Sequence, residues 1–117
     1  MTLLHASELT RAERLILARR PDGISQPDAA AQHDVPVDTY KRWETGRYEG
    51  PRVALGWLAK HEECFVLRRR ARMSRSALAK RLQVSLSWVT QMERGRAPVD
   101  RLHTYWSMRE SRRRSRA

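Results

Sequence analysis

Cationic side chains are the most abundant groups in this sequence that could bind a ligand. Lysine and arginine total 24 against 13 aspartates and glutamates, a formal net charge of +11 in 117 residues. The excess is uneven, because residues 1–60 carry a net +1 and residues 61–117 a net +10. This surplus predicts a polyanionic partner. In the run Arg68-Arg69-Arg70-x-Arg72, the arginines other than Arg68 form either phosphate contacts or a solvated helical face.

Few residues have the spacing that catalysis or metal binding requires. His61 and Cys64 lie one helical turn apart, but no second pair accompanies them, so a zinc site is not expected. The carboxylates are scattered among predicted turns and caps, and the five glycines form no phosphate-binding loop. We therefore expect neither an enzyme nor a bound cofactor.

The composition also argues against secreted and membrane-spanning proteins. A single cysteine, Cys64, cannot form a disulfide within the chain and is typical of a reducing cytoplasm. The N-terminus has neither the basic start nor the long apolar stretch of a signal peptide. The longest apolar run, Val53 to Ala59, is too short to span a bilayer.

An internal duplication organises the chain. When the sequence is shifted by 49 positions, Leu9–Trp57 aligns with Leu58–Trp106 without a gap, and 12 of the 49 positions are identical. The identical pairs include Arg19 with Arg68 and Glu44 with Glu93. A duplication of this kind predicts two similar structural units within one chain.

Each copy is expected to form four short helices, since capping residues and breakers recur and no period-two alternation indicates strands. In the first copy the helices end near Arg20, His33 and Thr45, and a fourth follows Pro51. The second copy has helices over about 62–72, 75–82 and 86–94 and another after Pro98. Because no proline or glycine separates residues 57 to 94, the fourth helix of copy 1 is expected to continue into copy 2.

The predicted fold class is therefore all-α, with two closely coupled four-helix units and a basic tail. We place the units at residues 1–60 and 61–110 and a disordered tail at 111–117. Trp57 and Trp106 are expected to anchor the fourth helices. Trp88 lies on the flank of the third helix, away from the predicted core, and either packs within the fold or is exposed for contact with the fourth helix or a second subunit. The predicted core positions are Ala29, Ala30, His33, Val35, Tyr40 and Trp43 in the first copy and Leu78, Ala79, Leu82, Val84, Val89 and Met92 in the second.

The segments Ile24–Arg47 and Met73–Arg96 each contain a short helix, a tight turn, a second helix and the motif Glu-x-Gly-Arg. This pattern resembles the helix-turn-helix of the phage repressor (XRE, Cro/cI-like) family, present twice in register. The resemblance implies that an arginine on the first helix pairs with the glutamate that ends the third, here Arg19 with Glu44 and Arg68 with Glu93. It departs from the family at the turn, where Asp34 and Gln83 replace the usual glycine.

The resemblance also implies which residues contact DNA. The third helix of each copy would lie in the major groove and read base edges. The implied base contacts are Ser85, Leu86, Ser87, Thr90 and Gln91 in the second copy and Val37, Asp38, Lys41 and Arg42 in the first. The implied phosphate contacts are Gln26, Arg47, Arg52, Arg75, Arg94, Arg96 and Arg101.

These observations favour a sequence-specific regulator that binds double-stranded DNA in the cytoplasm of a bacterial cell or a phage-infected host. Repression fits best, because the chain leaves no room for a ligand-sensing domain, and the second copy carries most of the charge. The sequence leaves open whether the first copy reads a neighbouring half-site, forms a homodimer or binds a protein partner. An adaptor or antitoxin-like protein and an RNA-binding regulator are the alternatives.

Overall fold

The computed structural model describes residues 3–20, 23–55 and 58–115, with side chains as far as Arg113. Within these residues it has one short 3-10 helix, Ala6–Glu8, seven α-helices and no strand. The α-helices are α1 (Arg11–Arg19), α2 (Gln26–Gln32), α3 (Val37–Thr45), α4 (Lys60–Arg70), α5 (Arg75–Leu82), α6 (Leu86–Glu93) and α7 (Asp100–Ser115). The predicted all-helical class is confirmed for the part of the chain that the structure covers.

The helices belong to two compact units. The first unit runs from His5 to Trp57 and contains α1, α2 and α3. The second unit begins at Leu58, contains α4 to α7, and also includes the N-terminal residues up to Leu4. The division at residue 60 stays a prediction, and the sequence did not indicate that Leu3 and Leu4 group with the helices that follow Leu58.

Local sequence signals determine where the helices begin. Side-chain oxygens of Thr10, Ser25, Ser74 and Ser85 accept hydrogen bonds from backbone N–H groups in the first turns of α1, α2, α5 and α6. Such caps satisfy donors that have no partner within the helix. Helices α1, α2 and α3 begin 49 positions before α4, α5 and α6 respectively, which is the spacing of the sequence repeat.

The predicted fourth helix of the first unit is wrong for the described residues after Pro51, since residues 51–55 form no helix. Side chains of α1 occupy the backbone acceptors of this segment: Arg11 Nη1 donates to Gly50 O at 3.2 Å, and Arg14 Nη1 donates to Val53 O at 3.3 Å. Gly50 also lies against the Trp43 ring, where a Cβ would approach Trp43 Cγ to 2.8 Å. These contacts favour an irregular chain, so α4 starts separately after Ala59, which has an extended backbone.

The C-terminal tail also differs from the prediction. Residues 111–115, where we expected a disordered tail to begin, continue α7, and residues 116 and 117 lie outside the described residues. Arginine has a high helix propensity, and neither proline nor glycine follows Pro98, so nothing in the sequence terminates this helix.

Each unit has its own apolar core. The first is built on Leu15, Ala29, Ala30 and Tyr40, with Val35, Val37 and Trp43 packed at its edge. The second contains ten buried residues: Leu3, Cys64, Leu67, Leu78, Ala79, Leu82, Val89, Met92, Leu102 and Trp106. Most of the predicted core positions are thus confirmed, and Trp57 lies outside the described residues.

His33 is the exception among the predicted core residues, because it is exposed. Helix α2 ends at Gln32, so the helical spacing that placed His33 on the buried face does not extend to it. Its ring instead lies 5.9 Å from the ring of Tyr40 and 5.8 Å from that of Trp43.

Candidate nucleic-acid interface

A tight turn joins α5 to α6 and fixes the start of α6. Gln83 adopts the left-handed conformation with φ of 56°, and the Val84 N–H donates to Ala79 O at 3.0 Å. Ser85 Oγ then accepts from the Trp88 N–H at 3.0 Å, which caps the first turn of α6. The orientation of this turn is therefore set by the backbone and by a side-chain cap.

One side of α6 is buried in the second unit and the other is accessible. Val89, Met92 and Glu93 are buried. Because successive residues are about 100° apart around a helix, Ser87, Gln91 and Arg94 lie on the opposite side. Ser87 and Arg94 are exposed and Gln91 is partly exposed, so this face presents a hydroxyl, an amide and a guanidinium.

The other predicted base-contacting residues of α6 lie at the edges of this face or serve the helix itself. Leu86 is 49% exposed. The Thr90 hydroxyl donates to Leu86 O at 3.1 Å, and the Ser85 oxygen serves as the cap. Trp88, for which the sequence left both burial and exposure open, is 44% exposed.

A buried carboxylate connects α6 to α4 and α5. Glu93, 2% exposed, accepts from Arg68 Nε at 2.7 Å and from Arg75 Nε at 3.1 Å. The structure thus brings together the predicted pair of Arg68 and Glu93. Arg75, which we assigned to phosphate, makes an internal ion pair instead of extending freely from α5.

The remaining cations of the second unit differ in their accessibility. Arg94 and Arg96 are exposed beside the end of α6. Arg101 Nη2 donates to Leu82 O at 2.6 Å, so this predicted phosphate contact binds the last carbonyl group of α5. In the arginine run, Arg69, Arg70 and Arg72 are exposed, whereas Arg68 is committed to Glu93.

The first unit repeats the buried carboxylate. Glu44 accepts from Arg19 Nε at 2.5 Å and from Gln26 Nε2 at 3.0 Å. Gln26 therefore corresponds to Arg75 of the second unit, and its side-chain amide donates to the buried Glu44 carboxylate. Arg47 and Arg52 are exposed.

These contacts perturb the titration of the first unit. Burial by itself would raise the pKa of Glu44, but hydrogen bonds from Arg19, Tyr40 and Gln26 outweigh it and hold the pKa below its usual value. The hydrogen bond to Glu44 raises the pKa of Arg19. Burial, reinforced by the hydrogen bond to Glu44, raises the pKa of Tyr40 strongly. The group is therefore a charged structural pair at neutral pH.

Helix α3 exposes a different set of side chains from α6. Asp38, Lys41 and Arg42 are exposed, and the Arg42 guanidinium lies 5.6 Å from the ring centre of Tyr48. Val37 packs against the core of the first unit and is only partly accessible. Sequence reasoning missed Tyr48, which is 54% exposed, although its place just after the Gly-Arg that follows α3 could have indicated it.

Other chemistry has little support in the described residues. Cys64 is fully buried, and burial raises the pKa of its thiol to about 12, so it is a core residue rather than a nucleophile. The described residues contain no group of three or more histidine, cysteine, aspartate or glutamate side chains that could hold a metal ion. No described helix is long and apolar enough to cross a membrane.

Comparison with known protein families gives a match for part of the chain. Residues 66–108 match the model of a helix-turn-helix domain family, a range that includes all of α5 and α6. No curated protein and no solved structure matches the chain. The match therefore identifies a helix-turn-helix in the second unit, which is consistent with DNA binding.

Proposed function

We propose that this protein is a sequence-specific, double-stranded DNA-binding transcription regulator, and that α6 is its principal recognition helix. The observation that carries the proposal is the accessible face of α6, which presents Ser87, Gln91 and Arg94 on a capped helix within the matched region. Serine side chains bind base edges and glutamine pairs bidentately with adenine, while Arg94 beside them is suited to a phosphate.

Charge supports a nucleic acid as the ligand. Residues 61–117 contain 15 lysines and arginines and five acidic residues. Several of the cations are committed to internal contacts, but Arg69, Arg72, Arg94 and Arg96 are exposed. Each neutralised phosphate adds roughly 0.9 to the salt dependence, so five or six contacts give a slope near −5.

The first unit is proposed to have a secondary role. Its Arg42 could bind guanine, but Asp38 beside it would be repelled by the phosphates unless it accepts a hydrogen bond from a cytosine amine. The 49-residue spacing of the helices and the repeated Arg–Glu pair support an origin by duplication. We propose repression of the phage or bacterial type, with α3 adding a weak contact to a neighbouring site.

Selection of bound duplexes from a random pool tests the proposal, followed by measurement of base preference with variants. Gln91→Ala is expected to lower discrimination at one base pair by about tenfold or more, since a bidentate contact contributes about 1–3 kcal/mol. Gln32→Ala removes an exposed amide from α2 and serves as the control. Unchanged affinity and base preference in both Gln91→Ala and Arg42→Ala would refute the assignment.

A protein partner for the first unit is the second candidate function. Its near-neutral charge and the exposed Tyr48 stacked on Arg42 favour this alternative. The footprint of the whole chain separates the two roles. If Arg42→Ala and Tyr48→Ala leave both the footprint and the affinity unchanged while Gln91→Ala lowers affinity, the first unit does not read DNA.

A further inference from the structure

We propose that Leu86 and Trp88 are specificity-determining residues that select thymine 5-methyl groups on the two strands beside the bases read by Ser87 and Gln91. The inference rests on the proposed function. It names thymine methyl groups as the chemical feature that α6 prefers in its DNA target. It derives from two exposed apolar side chains for which the core of the second unit gives no reason.

The two side chains lie on opposite edges of the accessible face. Leu86 and Trp88 are two positions apart and therefore about 200° apart around the helix axis, with Ser87 between them on the outward side. They are 49% and 44% exposed, whereas Val89 and Met92 of the same helix are fully buried. The bond from the Trp88 N–H to Ser85 Oγ holds both residues in the capped first turn.

The geometry of a helix in the major groove explains why apolar edges would be useful. In a helix-turn-helix the N-terminal residues of the recognition helix contact base edges, and Leu86 and Trp88 lie in the first turn of α6 on either side of Ser87. The thymine methyl is the apolar group that the four bases present in this groove. An adenine bound by Gln91 pairs with a thymine, which places one such methyl on the opposite strand.

The surroundings favour DNA over an apolar protein surface as the occupant. Lys80, Arg81, Arg94 and Arg96, which flank α6 in sequence, are all exposed. Residues 61–117 carry a net charge of +10, and an excess of this size argues for a polyanion. Leu86 and Trp88 therefore belong to the strongly cationic half of the chain.

The first unit offers a natural comparison. The positions of α3 that correspond to Leu86 and Trp88 are Val37, which is packed against the core, and Thr39. Helix α3 therefore lacks the two exposed apolar side chains. The substitution Trp88→Thr gives α6 the residue type that α3 has at the corresponding position, Thr39.

The test uses the full-length protein and a duplex selected by it. Thymines are replaced by deoxyuridine one strand at a time, which removes only the methyl group, and affinity is measured by fluorescence anisotropy of labelled DNA. We expect each methyl lost from a contacted position to weaken wild-type binding about fourfold. Trp88→Thr should bind the thymine duplex more weakly and be insensitive to the replacement on one strand, and Leu86→Ser should behave likewise on the other.

Two further variants keep the result interpretable. Met108→Ala truncates another exposed apolar side chain, on α7, and should retain the full methyl preference. Trp88→Phe keeps an aromatic ring and should retain part of the preference, and thermal melting of every variant should match the wild type.

Three outcomes would overturn the inference. If wild-type protein binds thymine and deoxyuridine duplexes equally while Gln91→Ala still lowers base discrimination, the inference fails and the proposed function stands. If Trp88→Thr keeps the wild-type methyl preference but changes the sedimentation mass, Trp88 belongs to a self-association surface. If no duplex is bound at all, the proposed function fails with it.

Discussion

At the scale of single residues, the two buried carboxylates are the most constrained groups of the molecule. Glu44 and Glu93 each accept hydrogen bonds from an arginine on the first helix of their unit and from a polar side chain at the start of the next. A buried charge is tolerated only when it is paired and hydrogen-bonded. Each glutamate therefore connects three helices of its unit.

Removing the principal partner of Glu93 should destabilise the second unit. Arg68→Met leaves a buried carboxylate without its principal partner, and we expect a loss of about 3–5 kcal/mol in the free energy of unfolding. Arg69→Met makes the same change at the next, exposed position and should cost about 0.5 kcal/mol or less. Urea denaturation measures the free energy of unfolding of both variants. Equal losses in the two would show that the ion pair with Glu93 does not account for the destabilisation.

The lowered pKa of Glu44 predicts an acid-sensitive first unit. Because the folded pKa lies below the usual value near 4.5, the stabilisation is present above that value and is lost as the pH falls through the folded pKa. Hydrogen exchange of α1, α2 and α3 should therefore accelerate below about pH 4.5, beyond the intrinsic effect of pH. Glu44→Gln should remove much of this dependence, whereas Glu49→Gln, at a 75% exposed side chain, should preserve it.

At the scale of secondary-structure elements, the caps of α5 and α6 offer a matched pair of substitutions. Ser74 and Ser85 make the same cap, each accepting from a backbone N–H three residues ahead. Ser74→Ala and Ser85→Ala should each cost about 1 kcal/mol in stability. Only Ser85→Ala should also weaken DNA binding several-fold, because it loosens the turn that presents α6. Equal binding by the two variants would indicate that this turn does not lie at the interface.

Most helices could be predicted because their signals are local. Ser25, Ser74 and Ser85 mark starts by capping, and Gly46 terminates α3 with φ of 79°. The structure after Pro51 could not be predicted in the same way, since it depends on Arg11 and Arg14 donating to carbonyl groups 39 residues away. Long-range contacts of this kind leave no periodic pattern in the sequence.

The candidate site was predictable to a similar extent. The resemblance identified the accessible positions Ser87, Gln91 and Arg94 of α6, because exposure follows from helical spacing once the buried face is known. It did not anticipate that Gln26 and Arg75, two of the implied phosphate contacts, hydrogen-bond the buried glutamates, because each of these contacts joins residues 18 positions apart. For Trp88 the spacing left burial and exposure open, because this residue lies on the flank of its helix rather than on the core side.

At the scale of the whole molecule, the chain order and the structural units do not coincide. Leu3 and Leu4 are buried, 6% and 2% exposed, and belong to the unit that otherwise starts at Leu58. Their N–H groups donate to Glu63 Oε2, a carboxylate that is itself 2% exposed. The N-terminal residues thus complete the core and a buried hydrogen-bond group of the unit that contains α6.

Deletion of residues 1–4 should therefore destabilise the second unit rather than the first. The loss of buried leucine surface and of two donors to Glu63 is expected to cost about 3 kcal/mol or more. Hydrogen exchange measured residue by residue should show faster opening of α4 and α7 and unchanged protection in α1 to α3. The variant with Leu3→Ser and Leu4→Ser keeps the backbone donors and should lose less. Equal acceleration in both units, or in neither, would contradict a stabilising role for this segment and leave Glu63 to be satisfied by other groups.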